Sequence, residues 1–389
     1  MRIAYVCTDP GIPAYGSKGA SVHVQELLRA YRRLGHDVVL VAARVDGSAP
    51  ADLADVEVIE LGRARGADTA HRELATMAVD DRAERILAER DDIALVHERY
   101  SLWGGAGVRA ATRRGIPGVL EVNAPLIDEQ ATHRELVHRE LATQRLVATV
   151  REATVVTAVS APVADWVRAH APDATDAVHV VPNGVDTDRI RPAERHGQRP
   201  FTVGFVGNLR PWHGVETMVD AVARLRSRGA DGRVLLVGDG KARAGLEARA
   251  AAAGVPLTCT GSLPPAEVPA HLHRMDVACA PYPPGDAAAY FSPLKVLEYL
   301  AAGVAVIASE TGQLPELLDH GRCGVLVAPG DADALAAGLG VLAADPSRRA
   351  ELADAGRAKA VRAHQWRDVA RHTLNLAHQP DRVPAGVAT

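Results

Sequence analysis

Three stretches of this 389-residue chain gather groups suited to an anionic ligand. In Phe205-Val206-Gly207-Asn208-Leu209-Arg210-Pro211-Trp212-His213-Gly214, an apolar run ends in a loop that displays a guanidinium and an imidazole ahead of a helical pattern. Arg210 has the planar fork to grip a phosphate, and His213 would add a second charge against a departing diphosphate if it is protonated. Further on, Tyr290-Phe291-Ser292-Pro293-Leu294-Lys295-Val296-Leu297-Glu298 puts a proline near a helix start, with Lys295 and Glu298 three residues apart on one face. A carboxylate so placed could accept both hydroxyls of a ribose while the helix N-terminus holds phosphate. The bland alternative is a surface ion pair, worth roughly a few tenths of a kcal/mol.

The third stretch, residues 9–21, carries Gly11, Gly16, Gly19 and Lys18 and opens the helix of His23 and Glu26. Glycines let a backbone approach a diphosphate closely, although the same residues serve a plain turn. The spacing is not the G-x-G-x-x-G dinucleotide fingerprint, which disfavours an oxidoreductase of Rossmann type.

Short β-branched runs at 2–7, 37–43, 56–61, 93–99, 117–122, 154–159 and 179–181 alternate with helical patterns such as 20–34. Such alternation implies a parallel sheet covered on both faces, with ligands beyond the carboxyl ends of its strands. Polar, proline-containing 187–200 reads as a linker. The alternation then restarts at 201–206, 233–237, 256–260, 276–280, 304–308 and 324–327, so a second doubly wound domain is expected. The tail is helical through Trp366 and His378 and could fold back on the first domain. His-Arg-Glu-Leu recurs at His71, His133 and His138 without a regular period, and reads as solvated helix faces.

Length supports two cores, and the ordinary apolar and charged content, 47% and 24%, excludes disordered and membrane-spanning classes. A net charge of −4 with mixed signs argues against nucleic acid as a partner. Cys7, Cys259, Cys279 and Cys323 are too scattered for a zinc site or a disulfide framework. They read as thiols of a reducing compartment. The first apolar run is too short for a signal peptide and no stretch is long enough to span a bilayer, so a cytoplasmic location is expected.

With these segments in hand, the chain resembles the GT-B glycosyltransferases of family 4 along nearly its whole length. The likeness is carried, in the family's order, by the Gly-rich first loop, Val181-Pro182-Asn183-Gly184-Val185-Asp186, Gly207–Gly214, Gly238-Asp239-Gly240 and Ser292–Gly303. It implies an α/β GT-B fold of two Rossmann-like doubly wound domains facing across a cleft. The acceptor side would be residues 1–186, the linker 187–200 and the nucleotide-sugar side 201–364. A helix at 365–378 would cross back to the first domain ahead of a flexible tail, 379–389; Trp366 resembles the family's tryptophan in that segment.

The resemblance assigns the ribose to Glu298, the last acid of the family's E-x7-E motif, and puts Tyr290 where the first acid stands. Gly16, Gly19, Gly207, Asn208, Gly238, Gly240, Leu263, Phe291, Ser292, Pro293 and Leu294 join Glu298 and Tyr290 as nucleotide-sugar contacts. Asn208 takes the usual arginine position, and Arg210 is its candidate replacement. Asn123-Ala124-Pro125 replaces a His-x-Pro-like loop, so Asn123 would reach the transferred sugar through its amide. Glu98, Arg99, Tyr100 and Lys18 are the acceptor candidates, with burial in core hydrogen bonds or an ion pair as the alternative for His97–Tyr100.

The activity implied is a metal-independent, retaining transfer from a nucleoside diphosphate sugar to an unidentified acceptor. Arg210, His213, Lys295 and Asn123 are the catalytic candidates, and no cofactor is required. The rivals are a nucleotide-sugar 2-epimerase and a non-catalytic nucleotide-sugar-binding subunit. The sequence leaves a homo-oligomer open.

Overall fold

The computed structural model describes residues 1–193, 200–285, 290 and 292–379. They fall into two compact units. One comprises Met1–Gly16, Ala20–Pro182 and the segment from Trp366; the other comprises Ser17–Gly19 and Asn183–Gln365. Phe291, part of the expected linker and most of the expected tail lie outside the described residues.

In the first unit, β1 (Arg2–Cys7), β2 (Asp37–Ala42), β3 (Glu57–Glu60), β4 (Leu95–Arg99), β5 (Gly118–Val122), β6 (Val155–Ala158) and β7 (Val178–Val180) form one sheet ordered β3-β2-β1-β4-β5-β6-β7. Every neighbouring pair is parallel. The central strands are buried along their length, as a sheet covered on both faces requires. The connecting helices are α1 (Gly19–Arg33), α2 (Thr69–Ala88), α3 (Ala106–Arg114), α4 (Leu126–His133), α5 (Arg139–Glu152) and α6 (Ala161–His170).

The second unit repeats the plan with β8 (Phe201–Val206), β9 (Gly232–Val237), β10 (Leu257–Cys259), β11 (Val277–Ala280), β12 (Ala305–Ser309) and β13 (Val325–Val327), ordered β10-β9-β8-β11-β12-β13 and again parallel. Its helices are α7 (Val215–Ser227), α8 (Arg243–Ala252), α9 (Val268–Leu272), α10 (Leu294–Ala301), α11 (Leu314–Leu317), α12 (Ala332–Ala344) and α13 (Pro346–Ala363). Phe205, Val219 and Ile307 pack in a core on one side of the sheet, and Val206, Leu297 and Leu300 in another. The last helix, α14 (Trp366–Ala377), belongs to the first unit, where the buried Trp366 meets the His23 ring edge-on at 4.9 Å. Among the described residues no helix is long and apolar enough to cross a membrane. Cys7, Cys279 and Cys323 are buried and Cys259 is half-buried, all as free thiols.

Two polar residues of the first unit are buried, Glu73 against its sequence expectation and Glu98 in line with the core-hydrogen-bond alternative. Glu73, within the first His-Arg-Glu-Leu, is not on a solvated face. Its carboxylate accepts the Val137 and His138 amides at 3.0 and 2.9 Å, joining α2 to the start of α5. Glu98, expected at the acceptor, is fully enclosed and accepts the Gly105 and Val108 amides at 2.6 and 2.9 Å. Those amides open α3, whose first N–H groups have no partner inside the helix. Burial and the nearby Asp80 push the Glu98 carboxyl up to about 7, while the two amides pull it down. Glu98 therefore holds a helix N-terminus rather than a substrate. Glu98→Ala should cost the first unit about 3 kcal/mol, the scale for two buried amides left unpaired, and leave nucleoside diphosphate affinity unchanged. Thermal melts and calorimetry check this; an undiminished melting temperature contradicts it.

Candidate active site

The second unit assembles its groups where β8, β9 and the start of α10 converge. Past Val206 the chain turns at Gly207, in left-handed backbone at φ 137°, and reaches α7 through a short 3-10 turn, Pro211–His213. The Leu209 amide donates to the Asp239 carbonyl at 2.9 Å, so the loops after β8 and β9 lie against each other. That contact explains two glycines. A side chain on Gly238 would put its first carbon 2.1 Å from the Gly207 carbonyl oxygen, and one on Gly240 would come within 2.3 Å of the Leu209 oxygen. Leu263, past β10, packs on the core as a half-buried residue.

Helix α10 buries Val296, Leu297, Leu300 and Ala301, and the Tyr299 hydroxyl accepts the Val206 amide at 2.8 Å, which ties the helix to the end of β8. Lys295 and Glu298 share one side of this helix, both half-buried. The Lys295 ammonium is itself buried, with no hydrogen-bond acceptor among the described residues. It sits over the Phe205 ring at 4.3 Å and near the Tyr282 ring at 5.5 Å. Ring faces attract a cation but offer it no oxygen. Burial lowers its pKa to about 7, against the opposing pull of Glu298.

His213 is half-buried in the loop after β8. Its Nδ1 donates to the Asn208 carbonyl at 2.6 Å, and the ring lies among Phe205, Trp212 and Tyr282. Burial, then Lys295 and Arg210, push its pKa down to about 3 despite that hydrogen bond. Burial and the neighbouring cations favour the neutral imidazole, which leaves Nε2 as an acceptor. Arg210 is half-exposed and lays its guanidinium 5.4 Å from the ring centre of Trp212, which is 44% exposed. Asn208 has a buried side-chain oxygen without a donor among the described residues. Tyr290 and Ser292 are half-buried, Pro293 is buried and Leu294 begins α10.

Gly16 lies in the loop after β1 of the first unit, while the exposed Lys18 and Gly19, the first residue of α1, belong to the second. Arg99 and Asn123 sit at the carboxyl ends of the neighbouring strands β4 and β5, where Arg99 is in register with Glu121. Arg99 is 8% exposed and its nearest carboxylate oxygen, on Glu121, is 3.7 Å away, beyond hydrogen-bond range. The Asn123 amide nitrogen is buried without an acceptor among the described residues. Tyr100 is buried, its ring 6.2 Å from that of Trp166, and its hydroxyl has no partner among the described residues.

Sequence reasoning missed the polar hub beneath these residues. Glu121 accepts from His23 at 2.8 Å and from the Tyr5 hydroxyl at 3.3 Å, and the Tyr31 hydroxyl meets His97 Nδ1 at 2.6 Å. Burial alone would raise the Glu121 carboxyl, but the His23 contact, with His97 and Arg99, holds it well below the usual range. Burial also pushes His97 down to about 4. The one signal was a glutamate in an otherwise apolar strand, Gly118–Val122.

Comparison with known proteins agrees with this geometry. Residues 17–189 match the family described as Glycosyltransferase Family 4, and residues 200–345 the one described as Glycosyl transferases group 1. Over 310 residues, 75% of this chain and 72% of the other, it is 29% identical to the MMP alpha-(1->4)-mannosyltransferase of Mycolicibacterium hassiacum. Over 165 residues it is 36% identical to a GDP-mannose-dependent alpha-(1-6)-phosphatidylinositol monomannoside mannosyltransferase of Mycobacterium tuberculosis, a match that spans 39% of this chain and 43% of that protein. The solved sucrose-phosphate synthase of Thermosynechococcus elongatus shares the fold with a TM-score of 0.74 and 20% identity, covering 97% of this chain and 98% of that one. Two parallel-sheet units, one matched by the family 4 model and the other by the group 1 model, make the chain a nucleotide-sugar-dependent glycosyltransferase of GT-B fold.

Proposed function

We propose that the enzyme moves a hexosyl group from a nucleoside diphosphate sugar to a hydroxyl of a small-molecule or glycan acceptor, with retention at the anomeric carbon and without a metal ion. The observation that carries the donor side is the buried Lys295 ammonium, which has no oxygen partner among the described residues and lies one turn before Glu298 on α10. A diphosphate would give that ammonium its missing acceptors, and Glu298 would take the ribose hydroxyls. The mannosyltransferase relatives favour a hexose donor.

In this reading the acceptor oxygen attacks the face from which the diphosphate leaves. The glycosidic C–O bond breaks as the new one forms, and the acceptor proton passes to the departing phosphate oxygen. Charge grows on that oxygen, so fixed cations facing it lower the barrier. Lys295 and Arg210 fill that role, while neutral His213 is limited to orienting a hydroxyl or a phosphate proton through Nε2. Arg99 and Asn123, donors left unused within the protein, meet hydroxyls on the acceptor side. Lys18 is the exposed cation of that side.

Arg210→Ala should lower the single-turnover rate by about 100-fold, the scale of a lost oxyanion donor, with a smaller change in donor Kd. Lysine should restore only part of the rate, because a point charge lacks the fork. A folded alanine variant that turns over at the wild-type rate assigns the charge stabilisation elsewhere. Turnover should also survive EDTA; activity lost to EDTA and restored by Mg²⁺ or Mn²⁺ contradicts the metal-free step.

A further inference from the structure

Helix α10 enters without a side-chain cap of its own: Pro293 occupies the cap position and bonds none of the first amides. The segment before it is held from outside. Asn183, of the Pro182-Asn183-Gly184 turn, donates its side-chain amide to the Ser292 carbonyl at 3.0 Å and its backbone amide to the Ser292 hydroxyl at 3.3 Å. Asn183 is only 7% exposed, so these bonds are shielded from competing water.

The far end of α10 is held in a matching way. The last carbonyls of a helix have no intrahelical partner and carry its negative dipole end, so a guanidinium there is favoured on both counts. Arg357 of α13 donates to the Ala301 carbonyl at 2.8 Å and also to the Ile190 and Thr187 carbonyls, each at 2.9 Å. The α13 backbone comes close enough to do this because Gly356 faces Leu300; a side chain on Gly356 would put its first carbon 2.6 Å from Leu300 Cδ2. Residues 183–190 thus hold the segment ahead of α10 at Ser292, and the end of α10 through one arginine. Between the two anchors stand Lys295 and Glu298.

We propose that Asn183 and Arg357 are positioning residues of the donor site, fixing the two ends of α10 so that Lys295 and Glu298 meet the nucleoside diphosphate in register. Neither touches the donor. The proposal rests on α10 being the donor helix, as argued above, and adds to it the residues that set its placement.

The test measures UDP and GDP affinity by calorimetry, donor and acceptor KM, and melting temperature for Asn183→Ala, Asn183→Asp, Arg357→Lys and Glu298→Ala, and for the Asn183→Ala/Glu298→Ala pair. Asn183→Asp keeps the shape but turns a carboxylate toward the Ser292 carbonyl, so it should be at least as impaired as alanine. Each positioning variant should weaken nucleotide binding by about tenfold, the scale of one buried hydrogen bond lost, and raise donor KM without changing acceptor KM. Glu298→Ala should then cost less in the Asn183→Ala background than in wild type, because a displaced α10 has already lost part of that contact. A lower melting temperature with unchanged nucleotide affinity, or fully additive effects in the pair, overturns the proposal. Should Asn183→Ala fail to fold, Asn183→Asp and Arg357→Lys carry the same comparison. If Glu298→Ala alone leaves affinity unchanged, the donor-site reading falls first and the positioning role falls with it.

Discussion

An ammonium resting on two aromatic faces, with no oxygen among the described residues to take its protons, is a costly thing for a fold to keep. Lys295 is held that way because β8 brings Phe205 beneath it, β11 leads to Tyr282, and α10 cannot turn it outward without unseating Val296 and Leu297. Desolvation without compensation is the state that a bound anion relieves. The surrounding structure follows from keeping it there: Gly207 gives it room, the loops after β8 and β9 lock together through Gly238 and Gly240, and Tyr299 ties its helix to a strand end.

The first unit applies the same economy of polar groups with the opposite outcome. Glu121, His23 and Tyr5 satisfy one another, and Glu98 spends both oxygens on α3. Satisfied networks of this kind stiffen a sheet and leave no capacity for a ligand. Arg99, Asn123 and the Tyr100 hydroxyl, at the carboxyl ends of β4 and β5, keep donor capacity unused among the described residues. A polar residue in a strand is therefore poor evidence of a substrate contact until its partners are known. Glu98 and Arg99 are adjacent in sequence and have opposite fates.

Much of the fold was legible because its signals are local. Runs such as 201–206 are β-branched or aromatic and flanked by glycine and proline, and the observed strands fall on them within a residue or two. Lys295 and Glu298 were legible for a similar reason, since three-residue spacing behind a proline fixes a shared face before any tertiary contact is known. What the sequence hides is long-range. The Asn183 to Ser292 contact joins residues 109 apart, and the neutral state of His213 depends on rings and cations brought in from β8, α10 and the segment after β11. Glu73 shows the same limit: a mixed-charge helix face looks solvated until α5 arrives to use its carboxylate.

The account turns on Lys295 as the group that a diphosphate recharges. With a folded pKa of about 7, Lys295 is mostly neutral at pH 8. A bound diphosphate favours the protonated form, so binding at that pH should draw a proton from solution. Calorimetry of UDP or GDP binding at pH 8, in buffers of different ionisation enthalpy, measures that proton directly. The account predicts an uptake approaching one proton per site, with affinity falling as pH rises above 7, and no uptake in Lys295→Met. Binding without proton uptake in the wild type, or the same uptake in the methionine variant, would contradict it.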